Sequence, residues 1–321
     1  MIKIGLIGAG HLGKIHIRLL KEIKEFNFIG FYDTDDKSID SIAKEFDIKA
    51  FNSADKLIEQ CDAIDIVTPT EFHFKYAKLA IKSDKHLFIE KPITKDLYEA
   101  DQLIKLSKNK NIKIQVGHVE RYNSAYKAIK KHCNNPMFIE CHRLAEFNPR
   151  GTDVPVVHDL MIHDIDIILK IVNSKVKQID ASGVSIISET PDIANARISF
   201  NNGCVANLTA SRISFKNMRK TRIFQKDAYI SVDYLDKKAE IIRMKDTDKI
   251  EDPFSLIIDP GEGKAKKEIQ FKNPKIKENN AIKDELVSFY KSIIKNIEPE
   301  VTIHDAKDAL YIADQITQKI K

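Results

Sequence analysis

The chain is poor in the features that would place it in a special class. Its 321 residues hold only four cysteines (Cys61, Cys133, Cys141 and Cys204), with no CxxC spacing among them. That argues against a disulfide framework or paired-thiolate zinc site and leaves free, mostly buried thiols in a reducing compartment as the expectation. No stretch approaches the ~18 uninterrupted apolar residues of a membrane helix. The opening MIKIGLIGAG breaks its apolar run at Gly8 and Gly10, without the longer core and cleavage site of a secretion signal. A cytoplasmic protein with no membrane partner is expected. The 52 basic and 47 acidic residues are interspersed, and the missing block of like charge argues against a nucleic-acid tail. A net charge of +5 still favours an anionic small ligand by weak long-range attraction. Repeats and low-complexity segments are also absent. What remains, 43% hydrophobic and 31% charged residues, describes an ordinary globular chain with length enough for two domains.

The first ~120 residues alternate apolar runs with amphipathic stretches, the signature of parallel βαβ units. Strands are expected at 2–8, 26–32, 63–69, 85–91 and 112–117. Helices are expected at 11–24, 72–83 and 97–109, where apolar residues recur every three or four positions. Runs that are apolar almost throughout imply strands covered on both faces, as in a doubly wound sheet. Past residue 120 the rhythm changes. A helix over 120–132 and a strand over 137–145 lead to short β-rich runs between 176 and 245, with a hairpin turn at Asn201-Asn202-Gly203. The stretch 246–266, with Pro253, Pro260, Gly261 and Gly263, reads as a loop, and two helices near 280–297 and 303–320 close the chain. The fold class is therefore α/β: a doubly wound parallel sheet over 1–118, then an α+β domain over 119–321 with a large, mainly antiparallel open sheet. The closing helices can pack back on the first domain.

Gly8-Ala9-Gly10-His11-Leu12-Gly13 follows a strand and opens a helix, and Asp33 ends the second strand at the spacing of a dinucleotide fingerprint. In this Rossmann arrangement Gly8 permits the tight turn, Gly10 lets the backbone approach a pyrophosphate, and Gly13 lets helix and strand pack closely. N–H groups at the helix start face the phosphates. Asp33 would accept hydrogen bonds from the ribose hydroxyls and repel a 2′-phosphate, so NAD is expected rather than NADP. Asp35 and Asp36 add to that bias. Thr68-Pro69 ends the third strand, where ligands border a doubly wound sheet. His73 is read equally well as a surface histidine or as a cofactor contact.

Glu90-Lys91-Pro92 ends the next strand, and with it the chain resembles the glucose–fructose oxidoreductase/inositol dehydrogenase (Gfo/Idh/MocA) family. The shared marks are the glycine turn, Thr68-Pro69 with His73, the Glu-Lys-Pro motif, Val116-Gly117 followed by Arg121-Tyr122-Asn123, and Asp159, His163 and Asp166 as D-x-x-x-H-x-x-D. The resemblance implies that Glu90 and Lys91 border the cofactor. It makes Lys91 the group polarising a substrate hydroxyl, His163 its proton acceptor and Asp159 the orienting partner. Arg121, Tyr122 and Arg150 become substrate-side candidates. Histidine suits the base role because it titrates near neutral pH, and a lysine stabilises developing alkoxide charge. The usual family glycine between the Asp and the His is replaced by Met161, and DLMIHDID with its flanks resembles a branch acting on UDP-amino sugars, the UDP-N-acetylglucosamine 3-dehydrogenases. A sugar nucleotide needs cations for its diphosphate, for which Arg143, Arg150 and Arg212 are candidates.

The segment HDLMIHDID (158–166) read alone also suggests a metal site. As an α-helix it sets Asp159, His163 and Asp166 on one face, with Leu160, Ile162, Ile165, Ile167 and Ile168 for packing. No metal is then required, since zinc would need a further ligand from elsewhere. Asp164 is expected to be solvated or capping, and His158 has no assigned role. The function expected is an NAD-dependent sugar or sugar-nucleotide dehydrogenase that forms a homodimer or homotetramer through the second sheet. An inositol or other polyol dehydrogenase, an NAD-dependent glycosidase and a non-catalytic NAD sensor stay open.

Overall fold

A computed structural model describes residues 1–148, 154–247 and 256–320. The chain divides into two compact units. The first comprises Met1–Tyr122 with Asn280–Ile312, the second Asn123–Asn279 with Ala313–Lys321.

The first unit is built on five parallel strands, β1 (Ile2–Ile7), β2 (Phe26–Tyr32), β3 (Ala63–Ile66), β4 (His86–Glu90) and β5 (Ile114–Gly117). Their order is β2-β1-β3-β4-β5, so the chain switches direction between β2 and β3 and opens a crevice at the carboxyl end of β1. Both faces of the sheet are covered. Leu87, Ile89, Ile64 and Ile66 join a core with Leu57, Leu103, Val301 and Leu310 on one side. Ala63, Phe88, Ile4 and Leu6 join Ile17, Phe31, Leu286 and Phe289 on the other. Neighbouring strand residues thus enter opposite cores, as the period of two requires. Each fully buried Leu, Ile or Phe contributes roughly 1.5–3 kcal/mol.

The helices His11–Glu22, His73–Lys82 and Leu97–Ser107 follow the predicted pattern. Two helices are not legible in the apolar periodicity, Asp36–Phe46 and Ala54–Gln60. The first buries only Ile42 and Phe46, and caps rather than an apolar stripe mark its ends. Asp35 accepts from the Lys37 N–H at 3.2 Å, and Asp47 ends the helix in the left-handed region at φ 50°.

The second unit carries β6 (Phe138–Leu144), β7 (Val176–Val184), β8 (Ile193–Phe200), β9 (Val205–Ser211), β10 (Met218–Gln225), β11 (Ala228–Asp233), β12 (Lys238–Thr247), β13 (Leu256–Ile258) and β14 (Lys266–Lys272). Among the described residues they form one nine-stranded sheet in the order β13-β14-β12-β11-β10-β6-β9-β8-β7. Every neighbouring pair is antiparallel except β6 with β9. The Asn201-Asn202-Gly203 turn joins β8 to β9, with Gly203 at φ 89°.

The β-rich run 222–235 is a hairpin, in which Gln225 pairs with Ala228 across a two-residue turn. Two expectations need correction. The stretch 246–266 contains β13, whose partner strand β14 lies beyond it in sequence and supplies its hydrogen bonds; Pro253 lies outside the described residues. The helix over 120–132 is broken into short turns around Ser124–Ile129, because Asn123 caps a new start by accepting from the Ala125 N–H at 3.0 Å.

Candidate active site

The glycine turn is built for close approach. Gly8 has φ +97°, and a Cβ there would stand 2.6 Å from the Thr68 nitrogen. At Gly13 a Cβ would meet the Gly8 carbonyl oxygen at 2.0 Å, so helix and turn can meet only without a side chain. Gly10 differs. Nothing lies within 4 Å of a Cβ built there, so the fold itself does not demand glycine. Gly10 also caps the helix His11–Glu22 without any side-chain hydrogen bond, leaving first-turn N–H groups for an anion. His11 is exposed, and Leu12 packs half-buried against the core. Asp33 closes the turn: its Oδ2 accepts from the Ala9 N–H at 2.5 Å, and its Oδ1 accepts from Thr34 and Asp35 N–H at 2.6 and 2.9 Å. Across the switch point the Thr68 hydroxyl is inaccessible and has no hydrogen-bond partner. An uncapped helix start, a glycine facing open space and an orphaned hydroxyl fit a dinucleotide at this end of the sheet.

His73 is not a surface histidine. It is 1% exposed, with Nδ1 2.9 Å from the Pro92 carbonyl oxygen and Nε2 2.9 Å from that of Thr68. Its ring ties the turn after β3 to the turn after β4. Burial lowers its pKa while the two carbonyls oppose that shift, and a neutral ring donates its single N–H to one of them. Lys91 follows β4, and the Lys91-Pro92 peptide is cis. Glu90 is 8% exposed, with its carboxylate turned into the unit; Oε2 accepts from the Lys91 N–H at 3.1 Å.

Arg121 and Tyr122, expected on the substrate side, are both buried. Arg121 is 3% exposed, donates to the Glu300 carbonyl at 3.1 Å and pairs with Asp305 at 3.4 Å. Tyr122 is 4% exposed within the apolar core, where burial pushes its phenol well up.

In the second unit the HDLMIHDID segment begins as a π-helical turn, Val157–Met161, and becomes α-helical from Ile162 to Val172. The expected single α-helix face is modified accordingly: Asp159 and His163 are partly accessible, whereas Asp166 is 1% exposed. Wide turns of this kind recur at functional positions. The reading of Asp164 is overturned. It is 3% exposed, and Arg143 from β6 grips it with two hydrogen bonds, Nε to Oδ2 at 2.9 Å and an Nη to Oδ1 at 2.8 Å. A charge on a helix looks solvated in sequence, but this one meets a cation supplied by a strand. The same pair removes Arg143 from the diphosphate candidates. Arg212 is also buried, donating to the Val154 carbonyl, and Arg150 lies outside the described residues. His158 acquires a partner, its Nε2 standing 2.7 Å from Asp314 Oδ1.

Comparison with known proteins agrees with this arrangement. A model of the oxidoreductase family with NAD-binding Rossmann fold, GFO/IDH/MocA, matches residues 2–118, and the GFO/IDH/MocA C-terminal domain matches 139–231. The UDP-N-acetylglucosamine 3-dehydrogenase of Acidithiobacillus ferrooxidans is 37% identical over 241 residues, 75% of this chain and 76% of that protein. A solved structure of the enzyme from that organism superposes with a TM-score of 0.89 at 31% identity, covering 99% of this chain and 97% of the other. Glucose-6-phosphate 3-dehydrogenase of Bacillus subtilis is 31% identical over 130 residues, 40% of this chain and 37% of that protein. This chain belongs to the GFO/IDH/MocA family of NAD-binding oxidoreductases.

Proposed function

We propose that the protein is an NAD-dependent dehydrogenase of a sugar nucleotide, with the 3-hydroxyl of UDP-N-acetylglucosamine as its substrate group. The observation carrying this reading is the 37% identity to a UDP-N-acetylglucosamine 3-dehydrogenase, sustained over three quarters of both chains. The cofactor supplies the hydride acceptor when bound at the glycine turn. Lys91, at the carboxyl end of β4, polarises the substrate oxygen. His163 removes its proton, and Asp159 orients the imidazole. The Asp33 carboxylate repels a 2′-phosphate and so favours NAD over NADP, with Asp35 and Asp36 beside it.

The second unit serves as the substrate and oligomerisation half. Residues opposite in parity to the buried Ile139, Ile223 and Ile230 form a partly exposed sheet face. Phe138, Phe224 and Tyr229 pack there as tilted rings with centroids 5.9 and 5.0 Å apart, flanked by the Arg222–Glu140 and Lys220–Asp233 pairs. An apolar centre with a charged surround suits a second copy of the chain, giving a homodimer or homotetramer.

The test of function is NADH formation from NAD⁺ and UDP-N-acetylglucosamine, with an aminotransferase or oxidant coupled to remove the ketone. Absence of any absorbance change across UDP-sugars and polyols refutes the dehydrogenase reading. Sedimentation as a monomer at micromolar concentration refutes the assembly.

A further inference from the structure

The first unit buries a cluster of ionisable groups that the proposed hydroxyl chemistry does not use. His16, on the helix His11–Glu22, is wholly inaccessible, as are Asp65 on β3 and Glu285 on the helix Ala281–Ile294. Nδ1 of His16 lies 2.8 Å from Asp65 Oδ2, and Nε2 lies 3.4 Å from Glu90 Oε1, an ion-pair distance rather than a short hydrogen bond. The Phe88 ring walls the site, 5.9 Å from the imidazole. Glu90 occupies a slot whose far side is Gly117: a Cβ at that position would stand 2.8 Å from Oε1 and 3.0 Å from Oε2.

Both nitrogens of His16 face carboxylate oxygens. A neutral imidazole satisfies one of them, whereas an imidazolium satisfies both. Burial by itself lowers the His16 pKa, but the Asp65 and Glu90 charges overrule it and hold the pKa well above the ordinary value. Burial raises Glu90, and the His16 contact outweighs it to bring Glu90 down. At Glu285 burial, then the charge of Glu90, outweigh the opposing charge of His16 and push it well up, so it keeps its proton. Asp65 is raised by burial and restrained by His16. The groups facing His16 are thus Asp65, Glu90 and Glu285, with Lys91 beyond Glu90.

We propose that Asp65, His16 and Glu90 form a buried carboxylate–imidazolium–carboxylate chain that positions Lys91, with Gly117 as the slot that seats Glu90. This rests on Lys91 acting on the substrate oxygen and deepens that reading. A lysine on a four-carbon stem is useful only if its backbone is fixed, and the Glu90 carboxylate holds the Lys91 N–H from beneath. An ionised His16 keeps Glu90 a full acceptor. A neutral substitute leaves Glu90 charged and unbalanced or protonated, and the turn loosens.

The experiment joins spectroscopy to kinetics. In protein labelled with ¹⁵N-histidine, His16 should show the shifts of a doubly protonated ring, unchanged between about pH 6 and 8, where a free histidine titrates. His16→Gln assigns the resonance; if that variant does not fold, Asp65→Asn assigns it by displacement. In His16→Gln and Gly117→Ala, kcat should fall roughly 10–100-fold, as for other outer partners of a site. KM for NAD⁺ should stay within about twofold of wild type, a split that general unfolding would not give. A neutral His16 ring at pH 7, or wild-type kcat in both variants, overturns the chain. If Lys91→Ala retains full activity the reading of Lys91 fails instead, and the His16 spectrum remains the separate measure of the cluster.

Discussion

Replacing Asp164 with alanine should destabilise the second unit severely, although the position looks like an exposed helix carboxylate in sequence. The substitution leaves the Arg143 guanidinium buried and takes away its two hydrogen bonds to the Asp164 carboxylate, at 2.8 and 2.9 Å. At an effective dielectric constant near 20, opposite charges about 4 Å apart attract by roughly 4 kcal/mol, and this must offset the desolvation of both ions. Removing one member of such a pair costs about 3–5 kcal/mol, because the other stays desolvated and uncompensated. For a unit of this size each kcal/mol moves the melting temperature by roughly 2–4 °C, so the expected fall lies between about 6 and 20 °C. Differential scanning calorimetry reads it directly. The double substitution Arg143→Met with Asp164→Leu should recover most of the loss, since it buries no lone charge. A fall under about 2 °C for Asp164→Ala, or a double variant no more stable than the single one, would show that the pair is solvated and the reasoning wrong.

Gly10→Ala should leave the melting temperature unchanged, because its Cβ meets nothing within 4 Å, yet weaken NAD⁺ binding in a titration at least ~10-fold; Gly13→Ala should lower both, since its Cβ would stand 2.0 Å from a carbonyl oxygen. Lys91→Ala and His163→Ala should each lower kcat by at least ~100-fold while NAD⁺ still protects against thermal unfolding, and an unchanged kcat in either removes that residue from the chemistry. His16 binds its proton more tightly folded than unfolded. Its stabilisation is therefore complete below an ordinary histidine pKa of about 6.5 and is lost as pH rises toward the folded value. Calorimetry should show wild-type stability falling above about pH 6.5, with a shallower fall in His16→Gln; equal slopes would place a neutral ring in the fold.

The sequence by itself determined the parallel strands, most of the helices between them and the cofactor turn. Apolar runs such as FIGFY and HLFIE, short and set between amphipathic helices, read as strands of a sheet covered on both faces. Gly8, Gly10 and Gly13 are legible because their spacing falls within a single strand–turn–helix, although the atom that forbids a side chain at Gly8 belongs to Thr68, far away in the chain. The Asn201-Asn202-Gly203 hairpin is legible for the same reason. Tertiary structure decided which charges are used. His16, Asp65, Glu90 and Glu285 lie far apart in the chain, and nothing in their spacing signals that two helices and two strands converge on one buried cluster. Asp164 looked solvated until β6 brought Arg143 against it, and the contacts of Arg121 with Asp305 and Glu300 come from residues nearly two hundred positions away. Periodicity is a property of neighbours along the chain and fixes secondary structure. The partner of a buried charge is fixed by the folded arrangement, and only there can a desolvated ion be told from a hydrated one.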